Sequence, residues 1–219
     1  MSQSPTNLAT RTYVSFAVLM LVWCLAWLGK VAMDARSDWF ASSAPTAVFW
    51  FVAKCLIWIL PAWYIIHISG RRWSVVFNLP GWRQWGLWGT VVGLLIATTG
   101  FLPKFIAGQP LLPGTFDSAL LNVIVIAPLF EEFLIRAAIL PNLIPQHGFA
   151  RANVIASLFF VVLHLPGWYF MGTLWTNLTL PVGGALSIFV LGLLFGWVAH
   201  KGRSFLGGSI AHCLNNVAA

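Results

Sequence analysis

The chain has 219 residues, of which 59% are hydrophobic and 8% are charged, and its formal net charge is +7 at pH 7. Soluble domains carry about a quarter charged residues, so this composition is too poor in polar side chains for a soluble globule. The basic residues are scattered between apolar segments, as topology signals are, and this distribution argues against nucleic acid as a partner.

Seven apolar segments predict the fold class. A membrane-spanning helix needs roughly 20 apolar residues. We predict an all-α, polytopic transmembrane helix bundle of about seven spans, which forms a single integral membrane domain over residues 1–219. The last three segments are short, which favours tilted helices, a thin membrane or partial burial. In chain order the predicted spans are 12–32, 46–69, 84–106, 118–140, 152–168, 183–199 and 204–218.

The basic residues between these spans predict an orientation, because cytoplasmic segments carry an excess of Lys and Arg. A cytoplasmic N-terminus would place seven of these residues inside and three outside. We therefore expect an integral protein of a bacterial inner membrane with its N-terminus in the cytoplasm. The inner set is Arg11, Arg71, Arg72, Arg83, Arg151, Lys201 and Arg203, and the outer set is Lys30, Arg36 and Lys104.

The only two glutamates of the chain, Glu131 and Glu132, lie in the apolar run 120–140 together with Arg136. An acidic residue at the centre of a membrane helix costs about 2.5–3.5 kcal/mol, which makes it a functional-site hypothesis by default. Glu132 and Arg136 are four residues apart and should form an ion pair. Glu131 is rotated by about 100°, so we expect the two carboxylates not to share a partner. A packing ion pair without chemistry is the alternative.

Two further spans carry polar groups, namely His164 in the fifth and His212 with Asn216 in the last. A lone histidine in an apolar helix is usually an interhelical hydrogen-bonder. Here a carboxylate could take a proton from water, while histidine and amide donors could stabilise an oxyanion. This set suits amide hydrolysis by water, and no Gly-x-Ser-x-Gly is present. Alternatively, Glu131, His164 and His212 could bind Zn²⁺, although His-Glu-x-x-His is absent.

Three motifs in this order carry a family resemblance: Glu131-Glu132-x-x-x-Arg136, Phe160-x-x-x-His164 and His212-x-x-x-Asn216. The chain resembles the CPBP family of type II CAAX prenyl endopeptidases and bacteriocin-processing membrane proteases, which includes the Ras-converting endopeptidase. The resemblance covers residues 118–218, the predicted catalytic core.

The resemblance implies an intramembrane protease that acts on a membrane-associated peptide or a prenylated CAAX-type protein. It implies that Glu131 and His164 activate water and that His212 and Asn216 form the oxyanion site. Glu132, Arg136 and Phe160 would support that site. We favour a mechanism without a metal or other cofactor, and we expect membrane lipid as a further partner.

The sequence leaves two other functions and one geometric conflict open. A non-enzymatic scaffold or bacteriocin-immunity factor could share the fold, and a transporter could use the carboxylates as a proton relay. The sequence shows no internal repeat of the kind common in transporters. From the predicted span ends, Glu131 lies nearer the inner face and His164 nearer the outer face. Two residues that share a water molecule should instead lie at one depth.

Overall fold

A computed structural model describes residues 5–112, 114 and 117–219. The described residues contain helices and no β-strand, so the all-α prediction is confirmed. Short helical segments occupy Asp38–Ala41, Trp73–Phe77, Leu79–Gly81 and Leu174–Thr179. The long helices are α1 (Pro5–Asp34), α2 (Ser43–Ile68), α3 (Trp82–Ile106), α4 (118–147), α5 (149–170), α6 (Ala185–Gly202) and α7 (Phe205–Ala218).

The seven long helices correspond in position to the seven predicted segments. Within the part of the chain that the structure describes, four stretches of helix could cross a membrane by length and composition, and the number of spans stays a prediction. Large apolar side chains cover the outside of these helices; Leu21, Leu95 and Phe105 are each 65–70% exposed. Such a surface is stable against lipid and not against water. The four stretches are Pro5–Asp34, Ser43–Ile68, Trp73–Ile106 and Ala185–Gly202.

Prolines explain where the helices widen into π-helical turns. Proline has no N–H to donate, and its ring clashes with the carbonyl four residues earlier. Pro61, Pro128 and Pro141 each follow a π-helical turn that contains that earlier carbonyl. The turns are Cys55–Ile59, Asn122–Ile126 and Phe133–Ile139. Two of the three flank the glutamate pair in α4, so the helix is irregular on both sides of the predicted site.

Gly148 is where the chain reverses between α4 and α5. Its φ of 70° and ψ of 163° belong to a region that only glycine adopts readily. Glu131 lies 17 residues before Gly148 and His164 lies 16 residues after it. At about 1.5 Å per residue, both lie some 25 Å from the reversal. The depth difference expected from the predicted span ends was therefore wrong.

The error came from polar residues at the end of α4. The predicted span ended at residue 140, whereas the helix continues to residue 147. Asn142 is buried and bonds to Thr12 Oγ1 and the Ile65 carbonyl, and His147 Nε2 lies 2.7 Å from Tyr13 Oη. Other helices supply hydrogen-bond partners for these polar side chains. The helix can therefore continue to residue 147, although the hydropathy of the sequence falls after residue 140.

Glycines let the helices around the site approach closely. A Cβ on Gly89 or Gly93 of α3 would clash with the α7 backbone, and one on Gly192 would meet Ser157 of α5 and the Arg136 guanidinium. A Cβ on Gly208 of α7 would lie 2.7 Å from Glu132 Oε2. The small-residue faces thus bring α7 and α6 against the glutamate-bearing helix α4.

Candidate active site

A cavity of about 280 Å³ lies between α1, α2, α4 and α5. Glu131 and His164 both line it, as their equal depth requires. Half of its other lining residues are tryptophans, so it is an apolar pocket with a few polar groups, which is the usual form of a small ligand site. The other lining residues are Trp23, Trp27, Trp50, Lys54, Trp58, Asn122, Leu163, Gly167, Trp168 and Met171.

The ion pair expected from the spacing of Glu132 and Arg136 is present and buried. Arg136 Nη1 donates to Glu132 Oε1 at 3.0 Å, and Nη2 donates to the carbonyl of Gly192 at 2.9 Å. The guanidinium also lies 4.6 Å from the centre of the Phe160 ring. These contacts offset part of the cost of burying both charges.

His212 contacts both glutamates, so the expectation that the two carboxylates would not share a partner was wrong. Its Nδ1 lies 3.2 Å from Glu132 Oε1, and its Nε2 lies 3.9 Å from Glu131 Oε2. An imidazole has nitrogens on opposite edges, and it can therefore bridge two carboxylates that point in different directions. Stacking on Phe195, with the ring centres 4.6 Å apart, holds the ring in place.

The position of His164 fixes which ring nitrogen carries a proton in the neutral ring. Its Nδ1 lies 2.8 Å from the carbonyl oxygen of Phe160. A carbonyl only accepts, so Nδ1 is the donor and Nε2 of the neutral ring has a free lone pair. The Phe160 ring packs edge-on against both His164 and His212. Phe160 therefore orients His164 through its backbone and separates the two histidines with its side chain.

Asn216 lies outside the cavity lining. Its Nδ2 donates to the Val123 carbonyl at 2.9 Å, and its Oδ1 accepts from Asn215 Nδ2 at 3.0 Å. The structure thus places Glu131 and His164 in one cavity and His212 against Glu131 outside the cavity lining, and it leaves Asn216 at the α4–α7 contact. One Nδ2 hydrogen of Asn216 is not used by this bond.

Sequence reasoning missed three features of the cavity. Lys54 lies in its lining, with Nζ 5.1 Å from the centre of the Trp58 ring. Asn122 adds an amide, and the buried indole N–H groups of Trp27 and Trp58 have no partner within the described residues. A lysine within an apolar segment is a signal that could have identified Lys54. The tryptophans carried no such signal, because the chain has 13 of them.

The alternative zinc site is not assembled by this arrangement. Within residues 5–112, 114 and 117–219, no three His, Cys, Asp or Glu side chains come close enough together to hold a metal ion. The predicted alternative ligands were Glu131, His164 and His212. The metal-free mechanism itself stays a prediction.

Comparison with known protein families gives a match over the second half of the chain. Residues 114–218 match the family described as type II CAAX prenyl endopeptidase Rce1-like. The resemblance predicted from the three motifs is therefore confirmed. Searches of the curated proteins and of the solved structures give no match.

Proposed function

We propose that this membrane protein hydrolyses a peptide bond with a water molecule activated by Glu131. The premise is that residues 114–218 belong to the Rce1-like family of type II CAAX prenyl endopeptidases. The substrate class is a membrane-associated peptide or a CAAX-type protein. The observation that carries the proposal is the single cavity that holds Glu131 and His164, with His212 Nε2 3.9 Å from Glu131.

In the proposed first step, a water molecule in the cavity gives a proton to Glu131 as its oxygen attacks the substrate carbonyl. His164 can accept a hydrogen bond from that water through the free lone pair on Nε2, which orients the nucleophile. The attack converts the carbonyl oxygen into an oxyanion and breaks no other bond.

In the second step, the proton held by Glu131 passes to the amide nitrogen and the C–N bond breaks. Meanwhile the oxyanion needs donors that are already in place. In its imidazolium form, His212 offers Nδ1–H to Glu132 and Nε2–H to the oxyanion. Asn216, one helical turn further along α7, can supply a second donor through its unused Nδ2 hydrogen.

The test is Glu131→Gln in the full-length protein, assayed on a quenched reporter peptide in liposomes. We expect turnover to fall at least 10²-fold, because amides cannot act as a general base and such bases contribute about 10²–10⁴-fold. Asp117→Asn is the matched control, since it makes the same charge change at an exposed site that precedes α4. Its turnover should equal that of the wild type.

Full turnover by folded Glu131→Gln would overturn the proposal that Glu131 activates the water molecule. Folding is checked by size-exclusion chromatography and thermal unfolding. Where no reporter is cut, membrane peptides from cells that express the wild type or Glu131→Gln are compared by mass spectrometry. A peptide that accumulates only with Glu131→Gln identifies the substrate.

A further inference from the structure

A second and larger cavity, of about 640 Å³, lies at the end of the bundle remote from the candidate active site. It is formed where α2 ends, α3 begins, α4 ends and α6 turns into α7. Its polar wall is basic: the residues that line it are Arg71, Arg136, His200, Lys201 and Arg203, together with the amide of Gln84 and the hydroxyl of Ser204. We call it the basic cavity.

The chain supplies no negative charge to this cavity. Of its five carboxylates, Asp34, Asp38 and Asp117 lie at the opposite end of the bundle, beyond the start of α4 and the end of α1. Glu131 and Glu132 lie inside the bundle, and Glu132 is paired with Arg136. Arg136, which lines the cavity, is compensated by Glu132, whereas Arg71, Lys201 and Arg203 repel one another unless an anion comes from outside.

Arg71 is held in the wall by neutral partners. Its Nη2 donates to the Ala138 carbonyl and to Asn142 Oδ1, both at 3.2 Å, and its Nε donates to Ser69 Oγ at 3.0 Å. Burial lowers the pKa of Arg71 to about 10, because no opposite charge repays the lost hydration. These bonds fix the guanidinium and use three of its five N–H donors, and the two hydrogens of Nη1 remain to bind an anion.

The corner between α6 and α7 fixes a second cation. Arg203 has a φ of 55° and a ψ of 29°, the left-handed conformation that ends α6, and a side chain there carries a backbone cost. Ser204 follows it, and its Oγ donates to the Phe77 carbonyl at 2.8 Å, which ties this corner to the segment before α3. Lys201 is tied to α3 through its carbonyl, which accepts from Gln84 Nε2 at 2.7 Å.

The basic cavity also has an apolar wall. Val75, Val76, Leu140, Pro141, Ile144 and Phe205 line it below the cations. A wholly water-soluble anion would leave this surface wet, whereas an amphiphile would cover it and gain about 25 cal/mol per Å² of apolar surface buried. Basic pockets between membrane helices are known to bind the headgroups of anionic lipids.

We propose that the basic cavity binds an anionic membrane phospholipid, with its phosphate on Arg71, Lys201 and Arg203 and its glycerol and upper acyl chains on the apolar wall. The cavity contains none of Glu131, His164 and His212, and it meets the candidate active site at Arg136, which pairs with Glu132. The lipid would fill the space between α2, α4 and the α6–α7 corner.

The test measures how much phosphatidylglycerol remains bound to full-length protein in mixed micelles with phosphatidylcholine, by native mass spectrometry. Lys201→Gln with Arg203→Gln should lower the affinity for phosphatidylglycerol about 25-fold, at about fivefold for each cation removed. The charge-matched control is Arg72→Gln with Arg151→Gln, which removes two exposed cations of the same end that do not line the cavity. Its affinity should change less than twofold. Val75→Trp, which fills the exposed mouth without a change of charge, should also weaken binding.

Inorganic phosphate is added to the same micelles to distinguish the source of the anion. No competition by phosphate supports a lipid headgroup. Displacement of phosphatidylglycerol by phosphate alone would replace the lipid with a free phosphate as the occupant. Equal losses in the cavity variant and the charge-matched control, or no loss in either, would overturn the proposal, because binding would then reflect only the net charge of this end.

Discussion

At the scale of single residues, one imidazole connects the two glutamates and gives them different surroundings. Glu132 is fully buried and bound to Arg136 and His212 Nδ1, whereas Glu131 faces the cavity. Glu132 thus has its charge neutralised within the protein. Glu131 is left free to meet a water molecule.

The Glu132–Arg136 pair gives a prediction about stability. Glu132→Gln should destabilise the protein by about 3–5 kcal/mol, because it leaves a buried guanidinium without a counter-charge. Glu132→Gln combined with Arg136→Gln should cost less than the sum of the two single changes. Chemical unfolding in mild detergent measures all three variants. Additive losses would contradict the coupling.

The site also shows which contacts a sequence can predict. The spacing of Glu132 and Arg136 predicted their pairing, because both lie on one helix and helical geometry places them together. The contacts of His212 with both glutamates join residues about 80 positions apart, and the bond between Asn216 and Val123 spans 93. No local periodicity predicts contacts between residues so far apart in the sequence. The order of the motifs therefore predicted which residues form the site, but not the hydrogen bonds between them.

At the scale of helices, the site depends on the close approach of α7 to α4. Gly208 lies against Glu132, and α7 carries His212 one turn later. The motif predicted that α7 contributes to the site. It did not predict that a glycine beside the motif would set the distance between the helices, since only the packed structure shows what a Cβ would meet.

Gly208→Ala should therefore impair both stability and turnover. Its Cβ would lie 2.7 Å from Glu132 Oε2 and 3.2 Å from the Phe195 carbonyl, and such overpacking costs about 1–3 kcal/mol. Gly86→Ala in α3 is the control, because nothing lies within 4 Å of its Cβ. It should be neutral or stabilising by up to about 1 kcal/mol. Thermal unfolding and reporter cleavage measure both variants, and equal behaviour would refute the packing argument.

At the scale of the whole molecule, charge is divided between the two ends of the bundle. Apart from Lys54 and Arg136, seven basic residues lie towards the end that carries the N-terminus of α1, and three lie towards the other. This division follows from the order of the helices, which the sequence predicted well. The candidate active site lies about 25 Å from the Gly148 reversal, and so in the half of the bundle away from the basic end.

The orientation of the chain therefore decides which substrates can reach Glu131. With the basic end in the cytoplasm, the cavity opens in the outer half of the membrane and suits secreted or membrane-anchored peptides. We expect Arg36→Cys to react with an impermeant maleimide on intact cells, in a background where Cys24, Cys55 and Cys213 are replaced by alanine. Arg72→Cys, equally exposed at the basic end, should react only after permeabilisation. The reverse pattern would place the cavity in the cytoplasmic half, within reach of prenylated proteins of the cytosol.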